Sequence, residues 1–394
     1  MISTSEAIAI IQNNVRALEP VAMSLEKAAG LTLAAGVFAS LDIPAFPQSS
    51  MDGYAFTFTE WNYCRELVIE GEMAAGSKTL VELAPGKAIR IFTGAPVPAG
   101  ADTVVMQEKV RTANGRLVIE DQNLKKGANV RPGGSEITMG ALALSSGSRL
   151  SPAAIGFLAG IGSSEITVFP RPRVSIIVTG NELQQPGVSL EYGQVYESNS
   201  FALTAALAQL HICDVTVQQV PDDPDAVTNM LQQSLERSDV VLLSGGISAG
   251  DYDFVLQAAT HCGVLQLFHK IRQRPGKPLY FGKKDAKLVF GLPGNPSSVL
   301  TCFYMYVVPA LEKLCQQNFS LRKVKVPLGK TYQKASGLTH FLKGYFNGKT
   351  AAPLHAQESY KMHSFAEANC LIEIDESTTE SIAGTEVNIY PLPI

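Results

Sequence analysis

One stretch limits what this chain can fold into more than any other: DVVLLSGGISAGDYDF, Asp239 to Phe254. It opens on the apolar, β-branched run Val240 to Leu243, short enough for a buried parallel strand. Ser244, Gly245, Gly246, Ser248 and Gly250 follow, small residues that let backbone N–H groups approach a ligand. Asp251 and Asp253 stand where a helix should begin. A strand, a small-residue loop and a helix start make the phosphate cradle of a doubly wound sheet. A plain strand-to-helix turn uses glycine as well, so the stretch alone leaves that reading open.

The flanking sequence supplies the rest of such a sheet. Val174 to Thr179 reads as a β-branched strand ending in Gly180-Asn181-Glu182. Ser198-Asn199-Ser200 caps a helix to about Leu210, and Val215 to Val220 is the next strand. PDDPDAVTNMLQQSLERS caps and forms another helix, and HCGVLQLFHKI reads as a further strand. Strand and helix alternate from 174 to about 317, which predicts a parallel sheet with helices on both faces. Glu182, the 244–253 loop, Lys270 to Lys277 and 291–298 all fall at or just past strand ends, the edge where such sheets bind ligands.

The fold class expected is therefore multidomain α/β: a doubly wound central domain, two β-rich domains and an extended linker region of helix and strand. The chain has 394 residues, enough for several domains, and its 46% hydrophobic content supports a sizeable core. The boundaries expected are 1–44 with 141–170 for the linker, 45–140 for the first β-rich domain, 171–320 for the α/β domain and 321–394 for the last. Ile8, Ile11 and Val15 mark one face of an N-terminal helix, with Ser3, Thr4 or Ser5 as cap. A second short helix is expected near Ser24 to Ala29, and Ser151-Pro152 begins one that runs to Gly160.

A net charge of −4 argues against a nucleic-acid footprint. No CxxC pair or HExxH motif occurs, so the six cysteines read as reduced, half-buried thiols of a cytoplasmic protein. The sequence has no apolar run of the ~18 residues a membrane span needs and no basic start typical of a signal peptide.

The chemistry concentrates in four places. Lys270, Arg272 and Arg274 recur at period two, which on a strand puts all three on one face, with Lys277 past a Pro-Gly turn. That pattern suits a polyphosphate clamp or an edge strand guarded by positive charge. Asp251 and Asp253 would repel a phosphate unless a metal intervenes, and Mg²⁺ held by carboxylates and phosphate oxygens is the usual solution. Asp251 equally suits a first helical turn, where it offsets the dipole. GLPGNPSS holds Pro293 and Gly294, then Asn295 as a cap, Pro296 at the first helical position and Ser297 at the positive helix end, suited to an anion. In the β-rich part, Met51-Asp52-Gly53-Tyr54 sets a carboxylate beside a glycine, and Thr93-Gly94-Ala95-Pro96 presents a hydroxyl at a strand end. Arg131 and Glu136 sit on the glycine-rich corner NVRPGGSEI.

Taken together, PAFPQSSMDGYA, IFTGAPVPAGADTVVMQE, VTGNEL, SGGISAGDYD, RPGKP, GLPGNPSS and SFAEANCLIEI resemble the molybdopterin molybdenumtransferase family, MoeA-type proteins and the related C-terminal domain of gephyrin. The pieces occur in the family's order and span nearly the whole chain. The resemblance implies insertion of molybdate into adenylylated molybdopterin with release of AMP and a requirement for Mg²⁺. It implies an elongated homodimer whose site lies between the α/β domain of one subunit and the linker-side domains of its partner. Molybdopterin and other cofactor-biosynthesis enzymes are the further partners it implies, with neither nucleic acid nor membrane. By resemblance Asp52, Thr93, Glu182, Asp253, Lys270, Arg274 and Lys277 form the site, with Pro293 and Pro296 shaping its wall. Glu182 and Asp253 would serve the metal, and Lys270 and Arg274 would hold molybdate or phosphate. One departure is Ser135, which stands where the family's arm carries the first of two acids. Two other readings remain: an enzyme like the molybdopterin adenylyltransferases, and a non-catalytic molybdopterin-binding scaffold of the gephyrin kind.

Overall fold

The computed structural model describes residues 1–247, 254–319 and 322–393. The chain separates into two units, one formed by Met1–Val21 with Phe169–Ile394 and the other by Ala22–Val168.

The first helix, α1 (Thr4–Asn14), starts in a capping box: Ser3 accepts from the Glu6 backbone N–H while the Glu6 carboxylate accepts from that of Ser3. Its apolar face buries Ala7, Ile11 and Val15 in the core of the α/β unit, beside Leu314 and Val307.

Unit 22–168 holds two separate cores. One lies on a six-stranded sheet of β1 (Gly53–Phe56), β2 (Glu66–Met73), β3 (Lys87–Ile91), β4 (Thr103–Met106), β5 (Val110–Ala113) and β6 (Arg116–Ile119). Its strand order is β4-β1-β3-β2-β6-β5, and Phe56, Trp61, Leu67 and Ile91 fill its centre. The other joins Leu25, Leu33 and Leu150 to helix α2 (Pro152–Gly160), capped by Ser151 as its Ser-Pro start predicts. The helix expected near Ser24 is a single 3₁₀ turn, Leu25–Lys27.

The α/β unit is built on β7 (Val174–Thr179), α3 (Asn199–Gln209), β8 (Val215–Val220), α4 (Pro224–Arg237), β9 (Val240–Ser244), α5 (Phe254–His261) and β10 (Leu265–His269). After these come β11 (Gln273–Arg274), β12 (Tyr280–Lys284), β13 (Lys287–Leu292) and the helical run α6 (Pro296–Cys315), which includes a π-helical turn at Phe303–Val307. The central sheet has the order β8-β7-β9-β13-β12-β10. The first four strands are parallel, and the central β7 and β9 are mostly apolar and buried along their whole length. The sheet is mixed rather than wholly parallel, because β12 runs antiparallel to both its neighbours, β13 and β10. Although no unbroken apolar run of span length was expected, α6 is long and apolar enough to cross a membrane. It is the buried helix of this core, with 83% of its 18-residue apolar window inside the protein.

A second sheet completes the unit. It contains β14 (Val324–Pro327), β15 (Thr339–Phe346), β16 (Cys370–Ile374) and β17 (Glu386–Pro391), in the order β11-β15-β16-β17-β14. The two-residue strand β11 joins it in parallel, pairing Gln273 with Thr339 and Arg274 with His340. Of the six cysteines, Cys262, Cys302, Cys315 and Cys370 are buried and Cys64 and Cys213 exposed, all as free thiols.

Candidate active site

Parallel strands bring their carboxyl ends to one edge, so the segments after β7, β9 and β13 share it. Gly245 follows β9 at φ 93°, and a Cβ there would lie 2.3 Å from the Thr179 carbonyl oxygen. The loop can approach β7 this closely only with glycine. Gly246 is also left-handed, at φ 60°. Ser244 is buried at the strand end, and Glu182 is exposed beyond β7. Asn181, next to it, accepts from the Asp222 N–H at 3.1 Å, and Thr179 donates its hydroxyl to the same aspartate's carboxylate. Ser248, Gly250, Asp251 and Asp253 lie outside the described residues.

The cationic segment departs from the expected strand. β10 ends at His269, and Lys270 has φ 71°, which breaks the period-two alternation. Lys270, Arg272 and Arg274 therefore do not line one strand face. Arg272 is a structural tie: Nε reaches Glu376 Oε2 at 3.1 Å and Nη1 donates to the Met1 carbonyl at 2.9 Å. Gln273 is fully buried and donates Nε2 to the carbonyls of Pro275 and Gly276 at 3.0 and 3.1 Å, while the Tyr306 hydroxyl donates to its Oε1. Gly276, at φ 82°, leaves no room for a Cβ against Cys302 Sγ at 2.4 Å. The turn is thus pinned from inside, and Arg274 and Lys277 point outward, exposed and without an ion pair among the described residues.

Those two cations line a cleft of about 570 Å³ together with Pro293, Gly294, Asn295, Ser298 and the segment Gln357–Tyr360. Ser297, at the start of α6, is wholly buried, and its Oγ has no partner among the described residues. Asn295 is the N-cap by position, but its side chain donates to Ser359 Oγ at 2.9 Å instead of closing the helix. Helix and cleft wall are tied together that way.

Two residues that hold this cleft escape a reading of the sequence. Lys343, in the middle of β15, is 2% exposed and donates Nζ to the carbonyls of Ala356, Lys361 and Glu358 at 2.6, 3.0 and 3.2 Å. It fixes the 356–361 loop; burial first, then the neighbouring Lys361, draws its pKa down against the pull of Glu358. Asn199 donates Nδ2 to Ser244 Oγ at 2.9 Å and to the Gly294 carbonyl at 2.8 Å, joining cradle and wall. The cap that Ser198 was expected to give α3 comes from Glu197, whose carboxylate accepts from the Ser200 N–H at 2.8 Å and its hydroxyl at 2.5 Å.

Within unit 22–168, Asp52 and Thr93 meet. Asp52 Oδ1 accepts from the Thr93 N–H and hydroxyl, both at 2.7 Å. The backbone bond first and the hydroxyl second hold the carboxyl below its usual range, with Arg90 adding to both. Arg131, Ser135 and Glu136 line a separate hollow of about 450 Å³ with Ile43, Pro44, Ala45 and Gln48. Arg131 pairs with Gln48 across a two-stranded ladder that forms one side of this hollow. No group of three or more His, Cys, Asp or Glu side chains that could hold a metal ion converges among the described residues.

Known proteins bear on this geometry along the whole chain. Residues 2–162 match the MoeA N-terminal region (domain I and II), 175–313 a probable molybdopterin binding domain, and 325–392 the MoeA C-terminal region (domain IV). The chain is 30% identical to the molybdopterin molybdenumtransferase of Haemophilus influenzae over 376 residues, covering 94% of this chain and 93% of that one. It is 31% identical to molybdopterin molybdenumtransferase 2 of Mycobacterium tuberculosis over the full length of both. The crystal structure of the molybdopterin biosynthesis MoeA protein from Pyrococcus horikoshii superposes with a TM-score of 0.86 at 28% identity, covering 100% of this chain and 99% of the other. The chain belongs to the MoeA family, the molybdopterin molybdenumtransferases of molybdenum-cofactor biosynthesis.

Proposed function

We propose that this transferase takes molybdate and adenylylated molybdopterin as substrates, places the metal on the dithiolene and releases AMP. The observation that carries the reading is the cleft of about 570 Å³ that Arg274 and Lys277, without an ion pair among the described residues, line together with Pro293 and Gly294. An exposed cation pair on a pinned turn suits phosphate and oxyanion, each charge-assisted bond being worth roughly 1.5–3 kcal/mol once sheltered. Ser244, Gly245 and Gly246 offer backbone N–H groups to the phosphate at the same sheet edge. Lys270 would act from the far side of the turn. Pro296 and Ser297 would complete the wall.

Mg²⁺ fits the donors present: Glu182 supplies one exposed carboxylate at the sheet edge, and magnesium is commonly held by one or two carboxylates with phosphate oxygens. When bound, the ion would neutralise phosphate charge. Asp251 and Asp253 are the further carboxylates assigned to it, and Asp52, oriented by Thr93, is assigned to position the substrate. Arg131 and Glu136 are assigned to the substrate arm. We assign the protein to a cytoplasmic homodimer with four regions, 1–44 with 141–170, 45–140, 171–320 and 321–394.

The test is AMP release from adenylylated molybdopterin by the purified protein, with Mg²⁺, with and without molybdate. Release that depends on molybdate is the expected result. Binding of the substrate without release would replace this reading with a non-catalytic molybdopterin-binding scaffold.

A further inference from the structure

Asn199 is the first residue of α3, next to the N-cap position Ser198. Here it crosses to two other segments, Ser244 at the end of β9 and Gly294 after β13. A carbonyl can only accept, so the group facing Gly294 is the nitrogen Nδ2. That fixes the amide orientation and turns Oδ1 the other way. Oδ1 is closed off from solvent and takes no hydrogen bond among the described residues. Glu197 already satisfies the start of the helix, so local structure makes no demand on this oxygen.

A buried amide oxygen left without a donor is unfavourable, and a ligand that brings one removes the penalty. Phosphate and molybdate oxygens are acceptors and would be repelled by Oδ1. The missing group is an N–H. We propose that Asn199 Oδ1 accepts a hydrogen bond from an N–H of the pterin ring of molybdopterin, so that Asn199 determines specificity for the pterin while its Nδ2 holds Ser244 and Gly294. The proposal rests on the substrate reading given under Proposed function. The pterin is the part of the substrate richest in N–H donors, and Asn199, Ser244 and Gly294 all fall within the matched region at 175–313. Adenine, with its single amino group, is the competing source of a donor.

Two variants of the full chain separate the two faces of the amide. Asn199→Ala removes both. Asn199→Asp keeps an oxygen in the place of Oδ1, replaces the Nδ2 donors by a second acceptor and adds a negative charge. Each is titrated with molybdopterin and, separately, with AMP. Loss of the Nδ2 tie is common to both variants, and the added charge acts on the phosphate that both ligands carry, so the Ala-to-Asp affinity ratio for AMP is the reference. Relative to that ratio, Asn199→Ala is expected to weaken molybdopterin about tenfold more than Asn199→Asp does, the size of one lost hydrogen bond. The same ratio for both ligands overturns the proposal, and so does an Ala-specific loss larger for AMP, which assigns the oxygen to adenine. Failure of the wild-type protein to bind molybdopterin overturns the substrate reading instead.

Discussion

Lys343→Met tests how the cleft wall is held. The methionine keeps most of the aliphatic stem's volume and removes the ammonium. Three carbonyls lose that donor, at 2.6, 3.0 and 3.2 Å. Each carbonyl keeps a second donor: Ala356 O the Ser364 hydroxyl at 2.8 Å, Glu358 O the Lys361 N–H at 3.1 Å and Lys361 O, more weakly, the Ser364 hydroxyl at 3.4 Å. Three bonds to a charged donor are lost, at roughly 1.5–3 kcal/mol each, and the second donors together with release from burying an ammonium at 2% exposure return much of it. The net expected is about 2–4 kcal/mol, localised on 356–361. Amide hydrogen exchange reads this directly, since a local loss of that size speeds exchange on the order of 30- to 1,000-fold. The informative amides are Leu354, which bonds to the Lys343 carbonyl, and Lys361, which bonds to that of Glu358. The KM for adenylylated molybdopterin should rise with the exchange rate, because the loosened segment lines the cleft. Exchange at 354–361 within threefold of wild type would refute the assignment of Lys343 as the anchor.

Two further outcomes follow from the geometry. Gly245→Ala should cost at least ~2 kcal/mol and abolish AMP release, because φ 93° disfavours a side chain and the Cβ would meet the Thr179 carbonyl at 2.3 Å; an unchanged melting temperature would refute this. His340 is pushed from 6.5 to about 4 by burial first, then by Lys334 and Arg274. Its folded value is below its unfolded one, so its contribution is present above pH 6.5 and is lost as the pH falls toward 4, at most ~3 kcal/mol. The wild-type melting temperature should fall over that window more than that of His340→Phe, and parallel curves would refute the shift.

Much of this architecture is written locally. β-branched runs, the Ser151-Pro152 and Asp223-Pro224 helix starts and the Gly245 turn each act within a few residues, and the structure places them as read. The candidate site was only half legible because its organisation is long-range. Period two put Lys270, Arg272 and Arg274 on one face, but a single left-handed residue and the demand of Glu376 and the Met1 carbonyl for Arg272 separated them. Nothing in the sequence singles out Lys343, because nothing near it announces that a loop 13 to 18 residues on will supply three carbonyls. Asn199 reads as a cap, and its real partners lie 45 and 95 residues away. Asp52 and Thr93 were each singled out, yet their contact became visible only once β1 and β3 paired in antiparallel register.

The division of the chain has a consequence for synthesis. Helix α1 leaves the ribosome before residues 22–168, but the core it enters is closed by strands made more than 150 residues later. Residues 22–168 carry their own cores and strand pairings, so they have all they need to fold while α1 waits. The chain enters that insert along Val21–Ser24 and leaves it along Glu165–Phe169, and those two strands are neighbours in one sheet. Once the insert is folded, an interval of about 150 residues is reduced to the width of a strand pair. The late, non-local closure of the α/β core then starts from a much shorter loop.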